Sequence, residues 1–131
     1  MEKFKYIFAS AGIMLAGFFG GWDKMLQALL TLTALDIITG VMLAAAQRKI
    51  SSSAALHGFA KKIGIYVLVG VAVVLDGLFG TTQHLRGATI GFFIGVEGLS
   101  IIENWGGFGL PLPKKLKNVL AQLKAEDEEE G

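Results

Sequence analysis

Residues 25–46, MLQALLTLTALDIITGVMLAAA, run for 22 positions with a single charged side chain, Asp36. Coiled into a helix, a stretch of that length covers about 30 Å, the thickness of a bilayer's hydrocarbon core. Three further apolar segments occupy roughly residues 4–21, 63–80 and 87–105. The chain is 53% hydrophobic and 18% charged, with a mean hydropathy of +0.57, which leaves too little charge to coat a soluble domain. None of the runs alternates apolar and polar residues as a barrel strand would. The expected architecture is therefore an all-α integral membrane protein. A bundle of four, alternatively three, transmembrane helices occupies residues 1–110, and a C-terminal basic amphipathic helix with an acidic tail follows over 111–131.

The choice between three and four spans lies at the N-terminus. Ala9, Ser10 and Ala11 imitate a cleavage box, but they precede most of the apolar run, the reverse of the order in a signal peptide. An uncleaved first span is expected, with a surface-lying helix as the alternative. The charges orient the rest. With four spans and both termini cytoplasmic, Lys3, Lys5, Arg48, Lys49, Lys61, Lys62, Lys114, Lys115, Lys117 and Lys124 lie inside, and only Lys24 and Arg86 lie outside. Basic residues concentrate on the cytoplasmic side of membrane proteins, so this orientation is strongly preferred to its inverse. Tyr6, Tyr66, Trp22 and Trp105 sit near span ends, where amphipathic rings are favoured.

After the fourth segment, GGFGLPLPK breaks the helix. Pro113 suits the first turn of a last helix, on which Leu116, Val119, Leu120 and Leu123 recur on one face among lysines. Such a segment lies on the inner leaflet or packs on a neighbour. The run EDEEE at 126–130 is expected to be solvated and disordered.

Two kinds of residue inside the spans attract notice. Gly87, Gly91 and Gly95 recur every fourth position, and Gly12, Ala16 and Gly20 repeat the pattern in the first segment. Small residues at that spacing let helix backbones approach closely in lipid, within one chain or between copies. The second kind is polar: Asp36 and Thr39, Asp76, and Glu97, Ser100, Glu103 and Asn104. Glu97, Ser100 and Asn104 share one helix face, well separated from the glycine face. An ionised carboxylate at the bilayer centre costs roughly 2.5–3.5 kcal/mol on insertion scales. Asp76 and Glu103 lie near enough to span ends to reach the headgroups. Asp36 and Glu97 are deeper, and two readings stand side by side: a polar face hidden in one assembly state and wetted in another, or satisfied hydrogen bonds inside a rigid bundle. The matching LDIITG at 35–40 and LDGLFG at 75–80 share too few positions to argue for a duplication.

No catalytic constellation, cofactor site or metal site is expected. His57 and His84 fall on opposite sides of the membrane, cysteine is absent, and the serines at 51–53 suit a loop or helix capping and not nucleophiles. No phosphate-binding glycine loop occurs. The four basic residues between the second and third segments suit anionic lipid headgroups better than nucleic acid.

Taken in order, these elements resemble the phage-lysis and toxin-secretion holin family. The matching features are L-D-x-x-T-G at 35–40, a short basic serine-containing loop ending in Lys61–Lys62, and an aspartate, Asp76, closing the next span. E-G-x-S-I-x-E-N at 97–104 and G-L-P-x-P-K-K-L at 109–116 complete the set. The resemblance covers roughly residues 34–124, and Ala54–Ala55 depart from it where a more polar loop is expected. It implies a phage or prophage protein of the bacterial cytoplasmic membrane that oligomerises and, at a set time, opens lesions. Through these a cell-wall hydrolase (an endolysin) or a toxin leaves the cell. Implied partners are further copies of the chain, membrane lipid and functionally the endolysin, with an antiholin as a further candidate. It implies no catalytic residues. On this view Glu97 faces a neighbouring helix before triggering and the lesion lumen afterwards. A small ion- or proton-coupled channel or transporter subunit is the alternative, and a non-lytic scaffold is a third.

Overall fold

The computed structural model describes residues 1–130, with side chains through Ala125, and all of its elements are helices: α1 Glu2–Phe18, α2 Lys24–Ala46, α3 Ser52–Phe79, α4 His84–Gly107 and α5 Lys114–Glu130. Three of them, α2, α3 and α4, are long and apolar enough to cross a membrane. Three such helices match the smaller of the two expected counts, and a fourth span is not established. At 17 residues α1 reaches about 26 Å, short of a full hydrocarbon core. It ends at Phe18 because Gly20 (φ 86°) and Gly21 (φ 115°) take left-handed conformations open to glycine. Gly20 therefore belongs to a turn and does not extend the Gly12 and Ala16 face. No residue of α1 is buried, and Phe4, Ile7, Phe8, Ile13 and Met14 are all largely exposed.

Local chemistry sets the other boundaries. The Asp23 carboxylate accepts from the Leu26 amide at 3.0 Å and caps α2. Ser51 accepts from the Ala54 amide at 3.4 Å and caps α3, the role expected of a serine at that place. The basic stretch that follows is consequently helix and not loop, so α3 begins eleven residues ahead of the expected span and runs for 28 residues in all. Gly80, with φ 69°, closes it.

α2 and α3 both lie along α4 and scarcely on one another. The three enclose the apolar core of Leu29, Ile65, Val69 and Ile90, with Phe19, Tyr66, Phe93 and Ile94 packed around it. Thr33 and Tyr66 join α2 to α3 by a hydroxyl pair at 2.8 Å.

α5 folds back on α4. Pro113 stands just before it, and the acidic run expected to be disordered continues it as helix to Glu130. Its seat is made by two glycines. A Cβ on Gly95 would stand 2.9 Å from both the Leu120 carbonyl oxygen and the Lys124 nitrogen, and one on Gly98 would meet the Leu120 side chain. Gly95 thus stands against α5, whereas a Cβ on Gly87 or Gly12 would meet nothing within 4 Å. An alanine at Gly95 would press on backbone, which cannot yield, while one at Gly98 needs only a leucine tip to move.

Candidate functional site: two buried charge clusters

Polar groups inside the helices gather at two levels. The first is at the middle of the chain's long helices. Asp36 lies twelve residues from the start of α2, Lys62 ten from the start of α3 and Glu97 thirteen from the start of α4. The helices bring them together: the Lys62 ammonium pairs with both the Asp36 and the Glu97 carboxylates. Asp36 is 6% exposed and Glu97 2%, with Lys62 at 18%. Asn104 donates to Asp36 Oδ1 at 3.1 Å and to the Thr39 hydroxyl at 2.9 Å. No buried side-chain nitrogen or oxygen among the described residues lacks a partner.

This cluster unites four of the polar residues singled out in the sequence and adds Lys62, which the charge pattern assigns to the cytoplasmic surface. The first ten residues of α3 are helical, so Lys62 comes about 15 Å along that helix from its start and reaches both acids. A lysine opposite two intramembrane acids was the available signal. Ser100 lines the same region beside Asn104. Glu103 stays exposed and takes no part.

The second cluster ties the start of α4 to the end of α3 and to the α1–α2 turn. Asp76 is 7% exposed and turned toward the start of α4. It accepts from the Leu85 and Arg86 amides at 2.8 and 2.9 Å, and from the Thr81 hydroxyl at 2.6 Å. It thereby caps α4, whose own N-cap residue, Gln83, makes no side-chain cap bond. A carboxylate there also meets the positive end of the helix dipole.

Arg86, expected in solvent, is 2% exposed. Its guanidinium spans Asp23, with Nη1 to Oδ2 at 2.7 Å and Nη2 to Oδ1 at 3.1 Å, and donates to the carbonyls of Phe19 and Gly21 at 2.5 and 3.1 Å. Gly20 is required beside it, because a Cβ there would stand 2.5 Å from Arg86 Nε. One arginine thus fastens the α1–α2 turn to α4.

The hydrogen bond from Arg86 holds the Asp23 carboxyl below its ordinary value. A lowered carboxylate pKa means stabilisation that is present above the unfolded-state pKa and lost as pH falls through the folded-state value. Melting in detergent, followed from about pH 6 to about pH 2, should show a steeper acid loss in the native chain than in Asp23→Asn. Parallel curves would mean that the pair contributes nothing.

Chemically, neither cluster offers a nucleophile beside a base. Each instead neutralises charge at a depth where bare charge is costly, and each joins three segments through groups that would hydrogen-bond equally well to water.

Comparison with known proteins agrees with this character. An uncharacterised 14.9 kDa protein in the nagH 3' region of Clostridium perfringens is 39% identical over 120 residues, 91% of each chain. The uncharacterised protein YqxH of Bacillus subtilis is 34% identical over 111 residues, covering 85% of this chain and 79% of that one. A probable holin of Bacillus phage phi105 is 32% identical over 109 residues, 83% of this chain and 81% of the phage protein. No solved structure matches. The sequence model of the bacteriophage holin family matches residues 13–125, and the chain belongs to that family.

Proposed function

We propose that the protein oligomerises in the bacterial cytoplasmic membrane and opens timed lesions that release an endolysin, or export a toxin, during host lysis. The observation that carries this reading is the Asp36–Lys62–Glu97 cluster: three ionisable groups closed on one another at mid-helix. Such a cluster is compatible with lipid while the helices stay together. When copies assemble and the helices part, the same groups become the wall of an aqueous opening. Charges at this depth also sense the membrane potential, worth roughly 2.3 kcal/mol per unit charge and 100 mV for a full crossing.

In this reading α2, α3 and α4 cross the bilayer with Arg48, Lys49 and the lysines of α5 on the cytoplasmic side. Lys3 and Lys5 favour a cytoplasmic N-terminus, which requires α1 to cross as well, tilted little and with local thinning. Insertion has a consequence for α5. Lys124 lies beside Gly95, twelve residues and so about 18 Å from the inner end of α4. A helix bearing lysines and five terminal acids is not stable at that depth in hydrocarbon. In the membrane α5 leaves this seat for the inner surface, and the vacated Gly95 and Gly98 groove accepts a second copy.

The test is inducible expression in a bacterium that also makes a cytoplasmic cell-wall hydrolase, with a potential-sensitive dye and a folded cytoplasmic enzyme followed together. Delayed, abrupt depolarisation with the enzyme outside is the expected result. Depolarisation without enzyme release would favour a small channel or transporter, and no depolarisation in cells with inserted protein would sink both. Glu97→Gln, which leaves Lys62 with Asp36, should insert normally yet shift the trigger time and reduce release. Unchanged timing and release would remove Glu97 from the mechanism.

A further inference from the structure

Between α2 and α3, on the basic side of the charge cluster, lies a cavity of about 600 Å³. Gly40 and Ala44 line it from α2, and Ala54 and Gly58 from α3. Small residues on two spanning helices ordinarily let the helices close on each other. Here they face a gap, because both helices lie along α4 and scarcely touch one another. The volume is within the range of sites that hold small molecules. The rest of its wall is largely apolar, with Ile50 and Phe59 prominent, and both are more than half exposed.

Three lysines also line it; Lys62 is taken up by Asp36 and Glu97, which leaves Lys49 from the α2–α3 turn and Lys61 from α3. Among the described residues no carboxylate pairs with either. The acid at the inner end, Asp36, is already engaged by Lys62 and Asn104. An occupant must therefore offer a negative charge to two cations and an apolar body to the walls. An apolar spanning helix of a second copy would fill the walls but leave both lysines unanswered.

We propose that this cavity binds an anionic phospholipid of the cytoplasmic leaflet, its phosphate held by Lys49 and Lys61 and an acyl chain laid on the α2 and α3 walls. Basic pockets between spanning helices on that side of a membrane suit such headgroups. The site rests on α2 and α3 crossing the bilayer with the Lys49 end inward, and it does not depend on lesion formation.

The test uses the full-length protein in nanodiscs of equal phosphatidylglycerol and phosphatidylcholine, with lipids retained after extraction counted by native mass spectrometry. The expected preference for phosphatidylglycerol is roughly 30-fold, about fivefold from each lysine. Lys49→Gln with Lys61→Gln should abolish it. Gly58→Leu, whose Cβ enters open space, should abolish it too, by filling the cavity with both charges intact. A preference that survives Gly58→Leu would be general surface attraction and would overturn the site, as would no preference at all. The chain has no cysteine, so efficient disulfide-linked dimers through Ala55→Cys would place a second copy in the cavity and overturn it as well. Permeabilisation is scored on separate vesicles: retained lipid without release would unseat the lesion reading alone.

Discussion

Lys62→Met is expected to destabilise the protein by about 3–5 kcal/mol, the cost of leaving buried charge without its partner. The side chain is of similar length and apolar, so packing is nearly kept while the only cation among the described residues that pairs with Asp36 and Glu97 is removed. Two carboxylates then face each other at mid-helix across α2 and α4. Equilibrium unfolding in mixed micelles, followed by helical circular dichroism, should show the loss directly. The decisive control is Lys62→Met combined with Asp36→Asn and Glu97→Gln. With no charge left to strand, most of the stability should return, because buried ion pairs are often no better than well-packed neutral groups. A triple variant as weak as the single one would show that Lys62 acts by packing, and the charge-cluster account would fall. In cells the single variant should accumulate poorly or permeabilise early, since the helices are less firmly held together.

Arg86→Met is the second large effect, about 1–3 kcal/mol, the cost of leaving buried carbonyl oxygens without a donor. Arg86 is almost wholly buried and answers one carboxylate and two carbonyls from the α1–α2 turn. Asp23 keeps the Leu26 amide and access to water, but the Phe19 and Gly21 carbonyls lose this donor and the turn loses its fastening to α4. Lysine should not substitute, because one ammonium cannot reproduce the planar fork that spans both Asp23 oxygens. Trp22 stands next to Asp23 and reports the turn; with Trp105 replaced by phenylalanine, its fluorescence should shift in Arg86→Met and in Arg86→Lys alike. An unmoved spectrum with unchanged stability would mean that α1 is held by other contacts.

These two residues also mark how far the sequence alone can be read. Both are basic, and a count of basic residues by loop places both in solvent. That rule treats each lysine or arginine as belonging to the nearest apolar boundary. It is blind to Ser51, whose cap starts α3 early and draws Lys62 inside, and to Asp23, which waits opposite Arg86 across a turn.

The sequence by itself determined the class. Apolar runs of spanning length, with acids at their middles and lysines between them, permit a helical membrane protein and little else, because hydrocarbon leaves backbone groups no other partner. The ordered motifs from Asp36 to the lysines after Pro113 carried the family. Helix propensity and caps were local enough to predict α2 within a residue and to anticipate Ser51 as a cap.

Tertiary structure alone decided who meets whom. Glu97, Asn104 and Asp36 could each be recognised as buried and polar, but their common partner depended on the relative shift of α2, α3 and α4 along their axes. The same holds for Asp76, which caps a helix beginning eight residues later in the chain, and for Gly95, whose neighbour is α5. Those shifts follow from side-chain packing summed over the Leu29, Ile65, Val69 and Ile90 core. Periodicity reports which face a residue occupies and carries no information about the register between helices.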